Sequence, residues 1–145
     1  MNRIALLLIP AAALASLASP TAAQTVETGT TEWDKLPPAK IGSDDIDYNR
    51  LVRWAATELG KPECKVPGMR PTKFDIDEPY AVLVEPNGTV KRIIVREMGC
   101  PGLNTVVGST LADLAKRGKF RPTGQPQAYW YGGRLSFAAS EQVPR

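Results

Sequence analysis

The chain has 145 residues, with 18 basic and 15 acidic side chains, a net charge of +3 and no histidine. The lack of histidine removes the most common general base and metal ligand. The sequence also has neither a glycine-rich phosphate-binding loop nor a Gly-x-Ser-x-Gly motif. The composition therefore argues against an enzyme and against a bound metal or cofactor, and the length is that of one domain.

The first 23 residues have the pattern of a secretory signal peptide. Arg3 supplies a positive charge, residues 4–17 are apolar, and small residues continue to Ala23, the predicted last residue before cleavage. Ala18 is the alternative cleavage position. The apolar run is shorter than the roughly 20 residues that a membrane-spanning helix needs, and Pro10 interrupts it. The pattern predicts export of a soluble protein that has no membrane span after cleavage.

The segment after the signal peptide, residues 24–42, contains few apolar side chains, which predicts a flexible leader. Docking of Trp33 and Leu36 on the domain is the alternative. The charge along the chain is uneven, because residues 24–47 carry six acidic and two basic side chains, whereas residues 48–145 carry nine acidic and fifteen basic ones. The globular part is therefore expected to be basic.

A first helix is predicted to begin near Ile46, with Ser43 or Asp45 as its N-cap. Apolar side chains recur along it at helical spacing: Tyr48, Leu51, Val52, Ala55 and Leu59. Gly60 is expected to end the helix as a left-handed C-cap. Trp54 lies beside the apolar stripe and is expected in the core.

The only cysteines are Cys64 and Cys100. Two cysteines in an exported protein most often form a disulfide, so we predict a bond between them. A zinc site is disfavoured because it needs four ligands. Closing a segment of this length stabilises the fold by up to about 4 kcal/mol in the chain-entropy model.

An irregular, proline-rich loop is predicted over residues 61–79, with the acidic cluster Asp75-Ile76-Asp77-Glu78 in a solvated turn. Two β-branched segments follow, residues 80–85 and 90–96, and a Pro-Asn-Gly turn separates them, which predicts an antiparallel hairpin. The turn is either a type I′ turn at Asn87-Gly88 or a type I turn with Gly88 left-handed in a bulge. Proline at the start of the turn favours the bulge.

A second helix is predicted from Leu103 or Asn104 to Gly118, with a weak point at Gly108. Its apolar stripe comprises Leu103, Val107, Leu111 and Leu114. Phe120 is expected to fold back under this helix. The helix and the hairpin together indicate an α+β fold.

The last strand is predicted over residues 127–138. Because the second helix returns the chain across the sheet, this strand pairs with the first, which gives a three-stranded antiparallel sheet in the order 2-1-3. The last strand is then an edge strand. Alternation places Trp130 on one face and Tyr129 and Tyr131 on the other, with one set in the core and the other exposed. Gly132-Gly133 allows close approach of another backbone.

Four motifs in this order resemble the C-terminal domain of the TonB energy transducers of Gram-negative bacteria. They are Pro86-Asn87-Gly88, Gly99-Cys100-Pro101-Gly102-Leu103-Asn104, Phe120-Arg121-Pro122 and Leu135-Ser136-Phe137. The resemblance is strongest over residues 79–138. It implies one periplasmic α+β domain over residues 43–140, with an additional N-terminal helix. Family transducers keep an uncleaved membrane anchor and a long proline-rich linker. We therefore do not expect this chain to be coupled to an inner-membrane motor.

The expected function is binding of an extended peptide or envelope protein, such as a segment of an outer-membrane receptor, along the edge strand. The expected peptide-binding residues are Tyr129, Trp130, Tyr131 and Arg134. The alternative is a structural or accessory envelope protein that holds a polyanion on a basic patch. That patch comprises Lys116, Arg117, Lys119 and Arg121. Export argues against a nucleic-acid partner, and the oligomeric state is left open.

Overall fold

The computed structural model describes residues 32–140. The predicted signal peptide and the first part of the predicted leader lie outside these residues. Two short 3₁₀ helices precede the main elements, which are α1 (Tyr48–Leu59), β1 (Phe74–Val84), β2 (Val90–Val95), α2 (Pro101–Lys116) and β3 (Tyr129–Ala139). No helix in the described part of the chain is long and apolar enough to span a membrane.

The three strands form one antiparallel sheet in the order β2-β1-β3, and both helices pack on one of its faces. The even-numbered side chains of β1 from Phe74 to Val84 are all buried and face the helices, and Pro79 and Ala81 on the opposite face are buried as well. On β3 the odd-numbered side chains Tyr131, Leu135 and Phe137 face the same way and are buried. The predicted α+β fold and the strand order 2-1-3 are confirmed.

Strand β1 begins at Phe74, earlier than the predicted start at Tyr80, so residues 75–78 lie in the strand and not in a solvated turn. Pro79 lies inside the strand, opposite Arg134 of β3. Two positions further along, Ala81 of β1 lies opposite Gly132 of β3. The backbone groups of Gly132 point away from β1, so this pair has no hydrogen bonds between the two strands. Because antiparallel pairs alternate, the Pro79 pair is also one without ladder bonds to β3, and pairing with β2 starts only at Tyr80. Proline therefore removes no ladder bond here.

The hairpin turn has the predicted bulge. Gly88 has a φ of +93°, whereas no non-glycine residue in the described chain has a positive φ, which excludes a type I′ turn at Asn87. The register between β1 and β2 shifts next to Val84. The Thr89 N–H donates to the Asn87 side chain at 2.9 Å, which completes the turn.

Helix α1 differs from the prediction at both ends. Its N-cap is Asp47, whose carboxylate accepts the Arg50 N–H at 3.0 Å, and not Ser43 or Asp45. Gly60 has a φ of −77° and is right-handed, because its N–H continues the helical pattern to the Ala56 carbonyl. The predicted left-handed cap is wrong.

Helix α2 starts at Pro101, two or three residues before the predicted start at Leu103 or Asn104, since proline suits the first turn of a helix. The predicted apolar stripe is buried, and Val106 joins it. Gly118 lies just after α2 and has a φ of +67°. Phe120 is buried in the core together with the apolar side chains of α2, as expected.

A disulfide joins Cys64 to Cys100, with 4.6 Å between the Cα atoms, and confirms the predicted pair. Cys100 is the N-cap residue of α2 and is buried, whereas Cys64 lies in the loop that follows α1. The bond therefore fixes the end of one helix to the start of the other.

The described part of the predicted flexible leader is docked on the domain. Trp33 is buried at 5% exposure in the first 3₁₀ helix, Glu32–Lys35, and this helix contacts β1 and β3. Ala39 and Ile41 pack against the core on the other side of the sheet. Residues 32–41, which we name the strap, thus pass from one face of the sheet to the other, and apolar burial explains why they do not form a free tail.

Candidate functional site

The outer edge of β3 is divided into an occupied part and an open part. At Gly132 the strap forms a parallel bridge: the Ala39 N–H donates to the Gly132 carbonyl at 2.7 Å, and the Gly132 N–H donates to the Pro37 carbonyl at 2.9 Å. Alternation along a strand turns the backbone groups of Arg134, Ser136 and Ala138 the same way. Within residues 32–140, no other segment donates or accepts a backbone hydrogen bond at these three positions.

The strap approaches the sheet closely because Gly132 has no side chain. A Cβ at this position would collide with the Trp33 carbonyl oxygen and would lie 3.2 Å from the Leu36 Cβ. Across the sheet, Gly132 pairs with Ala81, another small residue. The two make a shallow notch on the face that lies away from the helices, and the first 3₁₀ helix occupies it.

Arg134, a predicted peptide-binding residue, is held by acidic groups of the protein itself. Its Nε donates to both carboxylate oxygens of Asp77 at 3.0 Å, and its Nη1 donates to Asp34 in the strap at 3.1 Å. Hydrogen bonds from Arg134 and Ser136 hold the pKa of Asp77 below its ordinary value. Arg134 therefore links the strap to β1 and is not free to recognise a ligand by itself. No pattern in the sequence indicated Asp34 as the partner of Arg134.

The tyrosines of the aromatic run belong to the inner face of the sheet. Tyr131 is buried, Tyr129 packs against the core, and their ring centroids lie 5.8 Å apart in an edge-to-face contact. They lie opposite Val82 and Val84, which fixes them on the helical side. The expectation that these side chains bind a peptide is not supported by this placement. Trp130 is half-buried on the other face.

Gly133 leaves space for a different neighbour, the side chain of Tyr80. A Cβ on Gly133 would collide with the ring of Tyr80, which lies opposite it on β1. Tyr80 is consequently buried at 5% exposure, and this burial raises the pKa of its hydroxyl to about 12. The two adjacent glycines thus admit a backbone on one face and an aromatic ring on the other.

The four residues of the predicted basic patch lie together at the end of α2, but two of them are already paired. Arg117 forms an ion pair with Asp113 at 2.9 Å, and Lys119 forms one with Asp45 at 2.7 Å. The bond from Lys119 is the main reason that the pKa of Asp45 is lowered. No ion pair to Lys116 or to Arg121 occurs in the described residues.

One buried carboxylate lies in the core-facing row of β1. Glu78 is 4% exposed, and its carboxylate accepts a hydrogen bond from the Arg96 Nε at 3.0 Å. Burial raises the pKa of Glu78, and Arg96 opposes that shift. Arg96 is the cation that bonds to Glu78, and the charges of Arg134 and Asp77 also act on its carboxylate. Across the described chain, no group of three or more metal-ligating side chains comes together.

Several clefts mark the surface of the described residues. The groove between α1 and α2 has a volume of about 480 Å³ and a rim of Asp47, Arg50, Asp113 and Arg117. A cleft of about 310 Å³ lies beside the disulfide. A smaller cavity of about 220 Å³, which we name the strap cavity, lies between the strap and the segment that follows α2.

Comparison with protein-family models, with curated proteins and with solved structures finds no match to this chain. The functional argument therefore depends on the residues and their geometry.

Proposed function

We propose that the protein is an exported periplasmic module that binds an extended peptide, or an extended segment of an envelope protein, by strand addition to β3. The observation that carries this proposal is the open outer edge at Arg134, Ser136 and Ala138. An unpaired strand edge is a template for another strand, with backbone hydrogen bonds supplying the affinity.

The strap sets one end of this binding site. Because Gly132 already bonds to Pro37 and Ala39, an added peptide would pair from Arg134 towards Ala138. On the exposed face, Ser136 and Ala138 are small, which leaves room for larger side chains of the peptide. On the inner face, Leu135 and Phe137 are buried and give the strand a rigid support.

The resemblance of the motifs to the TonB C-terminal domain supports the same function, and a receptor segment from the outer membrane is one partner of this kind. The Pro86-Asn87-Gly88 and Phe120-Arg121-Pro122 motifs contact each other, because a Cβ on Gly88 would lie 2.6 Å from the Phe120 carbonyl oxygen. The Thr123 N–H also donates to the Pro86 carbonyl at 3.2 Å. We infer binding and not catalysis or energy transduction.

Proline at Ser136 tests the strand-addition proposal. Ser136→Pro removes the outward N–H, whereas the matched control Ser136→Ala removes only the hydroxyl that donates to Asp77. Peptides selected against the full chain from a random displayed library would be titrated into both variants by calorimetry. We expect Ser136→Ala to keep the affinity and Ser136→Pro to weaken it by about tenfold or more, the value of one or two backbone bonds. The thermal midpoint should change little, because an edge strand tolerates proline.

The second candidate function is binding of a polyanion to the basic patch, and it is favoured by Lys116 and Arg121, which have no ion pair among the described residues. Heparin serves as the polyanion probe. Strand addition predicts that Lys116→Gln with Arg121→Gln slows peptide association and flattens its salt dependence without abolishing binding. If Lys116→Gln with Arg121→Gln removes all binding of heparin and of the peptides, and Ser136→Pro does not change peptide affinity, the polyanion function is correct and strand addition is wrong.

A further inference from the structure

The strap cavity combines an apolar floor with two exposed cations. Its floor consists of Val84, Phe120 and Tyr131, all buried. Prolines of the strap and of the segment after α2 form its walls. Lys40 and Arg121 line it as well, and both side chains are exposed.

The backbone holds the two cations next to each other. Ile41 and Phe120 form an antiparallel bridge, and the Arg121 N–H donates to the Lys40 carbonyl at 3.1 Å. Neither cation has an ion pair within residues 32–140, and the nearby carboxylate of Asp45 is bonded to Lys119 at 2.7 Å. Two like charges beside an apolar cavity repel each other, and a bound anion would relieve that repulsion.

The volume limits the size of a ligand. An apolar cavity of about 150 Å³ is large enough for benzene, and the strap cavity measures about 220 Å³. It therefore fits one ring together with a short acidic chain, and it is below the range of about 300–1,000 Å³ that is usual for larger ligands.

We propose that the strap cavity binds a carboxylate that carries a single apolar ring, with the ring on the Val84–Tyr131 floor and the carboxylate between Lys40 and Arg121. The same chemistry is offered by a free small acid and by the C-terminal aromatic residue of a peptide. This site is separate from the open edge at Arg134–Ala138 and does not depend on strand addition there.

Calorimetric titration of the full chain with 3-phenylpropanoate tests the site, and 3-phenylpropanamide is the uncharged probe of the same shape. We expect the carboxylate to bind and the amide to bind about tenfold more weakly, because charge-assisted hydrogen bonds are lost. Lys40→Gln and Arg121→Gln should each weaken the carboxylate severalfold. Lys65→Gln, an exposed cation outside the cavity and outside the basic patch, is the matched control and should have no effect.

Ala39→Leu would fill the cavity and should abolish binding of both probes, with the thermal midpoint as the check on folding. The peptide Ala-Ala-Phe with a free C-terminus, compared with its amide, separates the two sources: tighter binding than 3-phenylpropanoate assigns the site to peptide ends, and weaker binding assigns it to small acids. Equal binding of 3-phenylpropanoate and its amide would overturn the proposal. An equal loss in Lys65→Gln and Arg121→Gln would overturn it too, as would the absence of binding up to about 10 mM 3-phenylpropanoate.

Discussion

Gly132 lies where the strap crosses the edge of the sheet, and the absence of its side chain lets two backbones approach. Gly108 in α2 is the opposite case, because a Cβ there would lie 3.7 Å from Val95 Cγ2, an ordinary contact. The same substitution should therefore have opposite effects at these two glycines.

We expect Gly132→Ala to lower the free energy of unfolding by about 1–3 kcal/mol, the usual cost of a forced steric contact, and to shift the indole N–H signal of Trp33 in NMR spectra. Gly108→Ala should raise the free energy of unfolding by up to about 1 kcal/mol, because alanine favours a helix. Urea unfolding measures both. Equal effects of the two substitutions would show that the strap does not press on Gly132.

The burial of the Tyr80 hydroxyl predicts that the protein loses stability in alkali. Its folded-state pKa of about 12 lies above the ordinary value of 10.0, so between these values the folded protein keeps a proton that the unfolded chain has released. The free energy of unfolding should therefore fall as the pH rises through this window, by up to about 3 kcal/mol at its upper end.

Comparison of Tyr80→Phe with Tyr129→Phe isolates this effect. Tyr80→Phe should unfold with a flatter dependence on pH from about pH 9 to about pH 11, whereas Tyr129→Phe should keep the slope of the unchanged protein. Urea midpoints in this range measure the difference. A common slope in all three proteins would contradict the burial of the Tyr80 hydroxyl.

Alternation in the sequence separates Trp130 from its two tyrosine neighbours but does not say which set is buried. That choice depends on which face receives the helices and on Gly133, which leaves room for Tyr80. Arg134 could be named from the sequence, but its partners Asp34 and Asp77 lie far from it in the chain and carry no local pattern.

At the scale of the elements, the disulfide joins the loop after α1 to the N-terminus of α2. Its reduction should lower the free energy of unfolding by about 2–4 kcal/mol, because the unfolded chain regains the freedom of the closed segment. Urea unfolding with and without dithiothreitol measures this change, and the intact mass before and after reduction confirms the bond.

The double substitution Cys64→Ser with Cys100→Ser is the control for reduction. It should be as unstable as the reduced protein and insensitive to dithiothreitol. If reduction lowers the stability of the double variant as well, the effect of the reductant does not come from this bond.

Helical spacing and turn chemistry were sufficient to predict both helices, the hairpin and the bulge at Gly88. They were insufficient for the first half of β1, because Pro79 and the acidic side chains of Asp75, Asp77 and Glu78 suggest a loop. Those residues become a strand through pairing with β3, where Arg134 and Ser136 bond to Asp77. Such pairing between distant segments overrides local propensity.

For the whole molecule, the order of elements and the short crossover were enough to predict the sheet order and therefore an open edge on β3. The partial cover of that edge by the strap was not predictable, since residues 32–41 have no periodic pattern and only Trp33 and Leu36 hint at docking. The position of the candidate peptide site thus follows from the sequence, whereas its boundary at Gly132 follows from the structure.

The strap also has a consequence for the order of folding. Asp34 and Arg134 are 100 positions apart, so the ion pair between them can form only after nearly all of the domain has been synthesised. Closing so long a segment is entropically costly and slow. The strap is therefore open to proteases until β3 has been synthesised and has paired with β1. The two ends of the domain then become resistant to proteases together.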